Sequence, residues 1–144
     1  MIAGISHLTF IVRDLDAMEQ VLTCVLDARK VYDSGPATFS LSPERFFLIA
    51  GDAASDEAAA IWVVIMEGRG PAERTYDHVA FKIAEADYDE RLARVQSLGL
   101  DLRAGRPRVE GEGRSIYFYD HDRHLFELHT GTLPERLARY RRQP

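Results

Sequence analysis

A single cysteine and the absence of any apolar run near the ~20 residues of a membrane span set the first limits on this 144-residue chain. Cys24, having no second thiol to pair with, excludes an internal disulfide; it lies in an apolar helix pattern and is expected in the core. A basic excess is also missing. Acidic residues outnumber Lys and Arg by 23 to 18, and a formal net charge of −5 excludes a general nucleic-acid binder, although basic residues gather late in the chain. The N-terminal Met-Ile-Ala-Gly-Ile-Ser-His lacks the basic and apolar regions of a signal peptide, so a cytoplasmic location is expected. What remains is a chain too apolar for disorder, at 46% hydrophobic, and too charged for a membrane protein, at 28% charged. Residues 1–144 suit one compact domain, or two small modules sharing a core.

Two stretches look alike. "HLTFIVRDLDAMEQVLTCVL" begins at His7 and "HVAFKIAEADYDERLARVQSLG" begins at His78. His7 matches His78, Phe10 matches Phe81, Val12 matches Ile83, Asp14 matches Glu85 and Asp16 matches Asp87. This regularity reads as an internal duplication. Each copy opens with a strand of period-2 alternation, placing Leu8, Phe10 and Val12 on one face and His7, Thr9 and Ile11 on the other. A helix follows, with Met18, Val21, Leu22 and Val25 as the first apolar stripe and Tyr88, Leu92, Val95 and Leu98 as the second, ended by Gly99. Three strand-like runs come next in each copy: "RKVYDS", "RFFLIAG" and "IWVVIMEG", then "LDLRAG", "RSIYFYD" and "HLFELHTG". The chain therefore reads as α+β, with strand-helix-strand-strand-strand modules at 1–68 and 75–131 and a helical tail with a cationic face at 132–144. "GRGPAER" is the linker, and Gly51–Ala60 is a hairpin loop without evident chemistry.

Glu127 breaks the pattern, because an unpaired carboxylate inside a sheet strand costs several kcal/mol unless it is paired, protonated or metal-bound. Aligning the last strands through their glycines, "VVIMEG" on "FELHTG", sets Glu127 opposite Val64. Pseudo-two-fold pairing of the modules would bring His7, His78 and Glu127 together, with an apolar residue in the fourth slot. Two histidines and one carboxylate with open positions suit a divalent metal that also binds substrate or water. His121 and His124 fall in the turn "DHDRH" and read as surface residues; His129 shares the face of Glu127 and can orient it.

The stretches "ISHLTFIVRDL", "FSLSPERFFLIAG", "IMEG", "ERTYDHVAF", "RPRVEGEGRSIYFYD" and "HLFELHTGTLPERL" together resemble the vicinal oxygen chelate superfamily, and within it the fosfomycin-resistance proteins of the FosX type. The resemblance covers nearly the whole chain. It implies paired βαβββ modules forming a mixed, cupped sheet around a metal site, with Mn(II) as the metal and fosfomycin, a small epoxide phosphonate, as substrate. It also implies a homodimer with modules paired across subunits, though sequence symmetry alone leaves pairing within or between chains open. No nucleic acid or membrane is among the implied partners.

Three reactions are known in that family: addition of glutathione, of another small thiol, and of water. The FosX type adds water, and Glu44 in "SPERFFLIAG" matches its general base; without the resemblance Glu44 reads as a solvated turn residue. The family's cationic phosphonate ligand falls at Arg106 or Arg108, of which Arg108 is the choice. Arg136, Thr9, Tyr117 and Ser115 match its other polar positions. The loop "RPRVEGEGR" lacks the Ser and Asn residues with which glutathione-type relatives hold potassium, which puts a potassium requirement in doubt. A Mn(II)-dependent epoxide hydrolase producing a vicinal diol is the expected activity. The alternatives are a fosfomycin thiol transferase on the same scaffold and a non-catalytic drug-sequestering protein. Isomerase or dioxygenase chemistry is a broader rival, and the missing fourth ligand at Val64 disfavours glyoxalase-like isomerisation.

Overall fold

The structure is a computed structural model that describes residues 1–37, 39–49 and 59–141. Most of the Gly51–Ala60 loop, and the last residues of the tail, lie outside the described residues. The chain divides into two units, Met1–Glu73 with His121–His124, and Arg74–Asp120 with Leu125–Pro144.

In the first unit β1 (His7–Val12) leads into α1 (Leu15–Leu26), then β2 (Arg29–Asp33), β3 (Glu44–Ile49) and β4 (Ile61–Glu67). The sheet order is β1-β4-β3-β2, with β1 parallel to β4 and the other pairs antiparallel. Asp14 caps α1, its carboxylate accepting from the N–H groups of Asp16 (2.9 Å) and Ala17 (3.0 Å). The buried stripe Met18, Val21, Leu22 and Val25 packs on the sheet face that carries Phe10, Val12, Phe47, Val63 and Ile65. Each such buried side chain contributes about 1.5–3 kcal/mol of hydrophobic stabilisation. Arg45 enters this face at its edge and is held by Asp16 (2.7 Å), Glu19 (2.7 Å) and Asp33 (3.0 Å).

Cys24 corrects the sequence expectation: it is exposed. Two residues beyond Leu22 on a 3.6-residue period, its side chain leaves the helix from the far side. The apolar run "VLTCVL" is wider than the stripe the sheet can cover.

The second unit repeats the plan with β5 (His78–Lys82), a 3-10 turn (Glu85–Asp87), α2 (Tyr88–Ser97), β6 (Asp101–Arg103), β7 (Ser115–Tyr119), β8 (Leu125–His129) and a terminal α3 (Leu133–Tyr140). Its sheet order, β5-β8-β7-β6, has the same sense of pairing. Phe126 lies between Phe81 (6.4 Å between ring centres) and Phe118 (5.5 Å), both stacked, and Val95 closes this core from α2. The two helix entries differ. Asp14 caps its helix, whereas Glu85, its sequence counterpart, opens a 3-10 turn and receives Arg114 at 2.6 Å. α3 begins with a capping box between Thr132 and Glu135 and has Pro134 in its first turn.

The units share one register. His7 stands opposite Trp62 and Thr9 opposite Val64; His78 stands opposite Leu125 and Ala80 opposite Glu127. Taking His7 as equivalent to His78, Val64 is therefore the counterpart of Glu127, as the glycine alignment implies. The same reading makes Glu44, opposite Met66, the counterpart of Ser115, opposite His129.

Leu22→Ala is expected to cost about 2–5 kcal/mol in urea denaturation. Cys24→Ala, on the exposed side of the same helix, is expected to stay within about 0.5 kcal/mol of the parent.

Candidate active site

In the first unit the cross-strand register places His7, Thr9, Trp62, Val64, Phe46 and Glu44 on one sheet face, away from α1. His7 packs on Trp62 at 4.5 Å between ring centres, and Trp62 meets Phe46 edge-on at 5.3 Å. Ser6 Oγ lies 3.1 Å from His7 Nδ1. Glu44 is the first residue of β3, not a turn residue before it, and only 7% of it is exposed. Its backbone is tied to Ser34, the N–H to Ser34 Oγ and the C=O to the Ser34 N–H, each at 3.0 Å. Among the described residues its carboxylate has neither a hydrogen bond nor an ion pair. Charged groups so placed are usually paired, so this one is free for another use.

The second unit gathers a polar network on the corresponding face. His78 donates from Nδ1 to the Tyr76 carbonyl at 2.7 Å, since a carbonyl can only accept. Its Nε2 then points at Glu127 Oε2, 3.0 Å away. In a neutral ring that nitrogen carries a lone pair, so two acceptors face each other and a proton or a cation must lie between them. Glu127 is 5% exposed. Burial pushes its carboxyl up, but hydrogen bonds from Ser115 and Tyr117, aided by the pull that His129 and His78 exert whenever they are protonated, outweigh burial, and the net displacement is below the usual carboxylate range.

Ser115 sits at the centre of this network. Its hydroxyl donates to Glu127 Oε1 and accepts from Arg108 Nη2. Having one proton, it must also accept from His129 Nδ1 at 2.8 Å. His129 Nε2 is then the acceptor for Arg136 Nη2 at 3.4 Å. That fixes a neutral tautomer, in keeping with burial, which lowers the His129 pKa against the opposing pull of Glu127. Arg108 also reaches Glu127 Oε1 (3.2 Å) and the Tyr117 hydroxyl (3.4 Å). Its other terminal nitrogen, Nη1, is buried with no hydrogen-bond partner among the described residues. A buried unsatisfied guanidinium N–H is a site waiting for an acceptor. Tyr117 accepts from the Tyr76 hydroxyl at 3.3 Å; burial first, then Tyr76 and Glu127, push its phenol well above the ordinary tyrosine range and keep it protonated.

The structure thus brings together His78, Glu127, Ser115, Tyr117, Arg108 and Arg136 in the second unit, and places His7, Thr9 and Glu44 on one face of the first. Among the described residues no group of three or more His, Cys, Asp or Glu side chains is arranged so that it could hold a metal ion. The pair His78 and Glu127 nonetheless fits a divalent metal: a nitrogen donor and a carboxylate oxygen converge, the imidazole oriented by a carbonyl behind it and the carboxylate by a hydroxyl. Arg106 and Arg108 separate by partner. Arg106 forks onto Glu112 at 2.7 and 3.3 Å, while Arg108 faces Glu127.

Sequence reasoning missed Tyr76 and Glu112. Tyr76 acts through its carbonyl, for which side-chain chemistry gives no signal, though its place two residues before His78 was available. Glu112 stood between two glycines in a loop, where an acid usually means a solvated turn; here it is fully buried.

A model of the Glyoxalase/Bleomycin resistance protein/Dioxygenase superfamily matches residues 4–128. The chain is 63% identical over 139 residues to the fosfomycin resistance protein FosX of Mesorhizobium japonicum, spanning 96% of this chain and 94% of that protein. The chain belongs to the FosX group of this superfamily. It is also 54% identical to FosX of Listeria monocytogenes over 97% of this chain and 98% of the relative. A crystal structure of a glutamate-to-glutamine variant of a Listeria monocytogenes FosX, complexed with Mn(II) and 1S,2S-dihydroxypropylphosphonic acid, superposes with a TM-score of 0.83 at 49% identity, covering 97% of this chain and 99% of that one. Two four-stranded mixed sheets with few helices are the fold of the FosX group, and α+β is its class.

Arg106→Ala is expected to lower the thermal unfolding midpoint more than Arg108→Ala. The first strips a fully buried carboxylate of its guanidinium fork and leaves it the Tyr140 hydroxyl and the Val109 N–H, whereas Glu127 keeps the Ser115 hydroxyl after the second and is not wholly buried. Differential scanning fluorimetry of the metal-free proteins reads this directly.

Proposed function

We propose that this chain is a Mn(II)-dependent epoxide hydrolase that adds water to fosfomycin and so confers resistance to it. The observation that carries the reading is the His78–Glu127 pair, an imidazole nitrogen and a carboxylate oxygen converging 3.0 Å apart, a gap that a divalent cation can fill in place of a proton. Kinship to FosX proteins, and the Mn(II) and dihydroxypropylphosphonate of the Listeria monocytogenes structure, support both metal and product. No helix among the described residues is long and apolar enough to cross a membrane, and the lone Cys24 suits the reducing cytoplasm in which we place the enzyme. The modules 1–68 and 75–131 act as one catalytic domain, and the working form is a homodimer with modules paired across subunits.

His78 and Glu127 hold the metal, and His7, from this chain or a second copy, is the third ligand. When bound, Mn(II) supplies Lewis acidity toward the epoxide oxygen. Arg108 offers its free Nη1 to the phosphonate, joined by Arg136 and by the hydroxyls of Thr9, Ser115 and Tyr117; guanidinium N–H groups match phosphonate oxygens in geometry and charge. Ser115 and Tyr117 also keep Glu127 ionised. Glu44, with no partner of its own, takes a proton from water as that water's oxygen bonds to an epoxide carbon. The carbon–oxygen bond breaks with its electron pair on oxygen, and the opened oxygen takes up a proton, leaving a vicinal diol.

Glu44→Gln is expected to keep Mn(II) and fosfomycin binding by calorimetry and to lose about 10²–10⁴-fold in hydration rate. Full hydration in that variant removes Glu44 from the mechanism. Phosphorus NMR of enzyme, Mn(II) and fosfomycin without thiol is expected to show the diol. Removing the metal with EDTA is expected to stop its formation, and returning Mn(II) to restore it. A thiol adduct formed only when thiol is added, or binding without turnover, would replace hydration with transfer or sequestration.

A further inference from the structure

Glu112 is among the most deeply buried polar residues in the protein, yet it lies in a loop and the mechanism above does not use it. None of its surface is exposed. Both carboxylate oxygens are committed. Arg106 forks onto them at 2.7 and 3.3 Å, the Tyr140 hydroxyl donates to Oε1 at 2.6 Å, and the Val109 N–H donates to Oε2. Arg136 Nε stands 3.8 Å from Oε1. The Arg106 guanidinium in turn reaches the Tyr140 hydroxyl at 3.2 Å. These bonds, Arg106 first, hold the Glu112 carboxyl far below the usual range, so it carries a fixed negative charge.

The backbone around Glu112 is built for close approach. Gly111 and Gly113 both have φ of +84°, and a side-chain carbon on Gly111 would collide with the Arg139 guanidinium, one on Gly113 with the Gly131 backbone. Beyond the loop, the Arg114 N–H donates to Thr130 Oγ1 at 2.9 Å and the Thr130 N–H to the Arg114 carbonyl at 3.0 Å. The loop is thus anchored at one end to Thr130, just past β8, and, through Glu112, to α3. The two elements so joined each carry one of the cations assigned to the phosphonate: Arg108 lies in the loop and Arg136 on α3.

We propose that Glu112 is a positioning residue for the phosphonate subsite: it sequesters Arg106 and ties the loop to α3, so that Arg108 and Arg136 are presented together to one anion. The inference rests on the reading of Arg108 and Arg136 as phosphonate ligands. Its logic is a choice between neighbours. Arg106 and Arg108 are two residues apart, both long and both cationic, and either could answer an anion. The buried fork on Glu112 holds Arg106 in the loop and leaves Arg108 with an unsatisfied Nη1 beside Ser115 and Glu127. Arg136, between Glu112 and His129, is steered by the same carboxylate. Glu112 touches neither substrate nor metal in this scheme and acts through the arginines.

The test compares Glu112→Gln and Tyr140→Phe with the parent, each with Mn(II) bound, by fosfomycin titration calorimetry and by KM and kcat for diol formation. Tyr140→Phe removes only the hydroxyl of a half-exposed ring, so it keeps the question answerable if Glu112→Gln fails to fold. Both variants are expected to raise KM and weaken fosfomycin binding, by about tenfold for Glu112→Gln and less for Tyr140→Phe, with Mn(II) affinity and kcat at saturation within twofold. Glu112→Asp is expected to recover part of the lost affinity. Unchanged KM in Tyr140→Phe and in any folded Glu112→Gln overturns the inference, as does a fall in kcat and Mn(II) affinity with KM untouched. Failure of the underlying reading looks different: Arg108→Ala and Arg136→Ala would then leave fosfomycin binding unaltered in an otherwise parental enzyme.

Discussion

A carboxylate on a sheet strand, 5% exposed, is the constraint from which the polar half of this protein follows. Glu127 has no apolar solution: removed from water alone, it would destabilise the fold by several kcal/mol. Hydrogen-bond donors surround it, and one imidazole nitrogen faces it across a gap that a proton or a cation must fill. Ser115 and Tyr117 donate from the neighbouring strand, Arg108 from the loop before it, and His78 approaches from the strand on the other side. These donors are themselves oriented by a further ring of groups, His129, Tyr76 and, through Arg106, Glu112. The order of dependence runs outward from one charge, and the elements that look peripheral, a glycine-rich loop and a short terminal helix, are held where that charge needs them.

The duplicated frame shows how little must change to make a site. Both units pair their strands in the same order and register, so positions can be compared one for one. Where the second unit has Glu127, Ser115, Tyr117 and His129, the first has Val64, Glu44, Phe46 and Met66. Only the histidines at the start of the first strands are common. One copy has thus become a polar face knit by hydrogen bonds. The other has kept an aromatic and apolar face with Glu44, whose carboxylate has no partner among the described residues. The asymmetry suits the separation of roles proposed above, with metal and anion ligands on one copy and the proton acceptor on the other.

Much of this was legible before any coordinates. The strand alternation at His7 and His78, the two helix stripes and the run of three strands after each helix follow from periodicity. The alignment of Val64 on Glu127 followed from two glycines. The FosX motifs singled out Glu44 and the arginines as candidates. Three things were not legible. Cys24 sat in an apolar run wider than the sheet could cover, and period alone does not say where a stripe ends. Tyr76 works through its main chain. Glu112 lies in a loop whose burial depends on α3, some twenty residues later, folding back over it; no local pattern carries such a contact. For the same reason the choice of Arg108 over Arg106 had no local basis in the sequence, and the two become physically distinct only once Glu112 takes one of them.

The position of Cys24 has a practical consequence. It is the chain's only thiol, it is exposed, and it projects from the side of α1 turned away from the sheet, while His7, Thr9 and Glu44 lie on that sheet's opposite face. A maleimide dye or nitroxide would therefore attach at one known point without engineering and without touching any residue assigned to chemistry. In an assembly of two copies it would give a matched pair of reporters, whose separation could be followed as drug and ion are added.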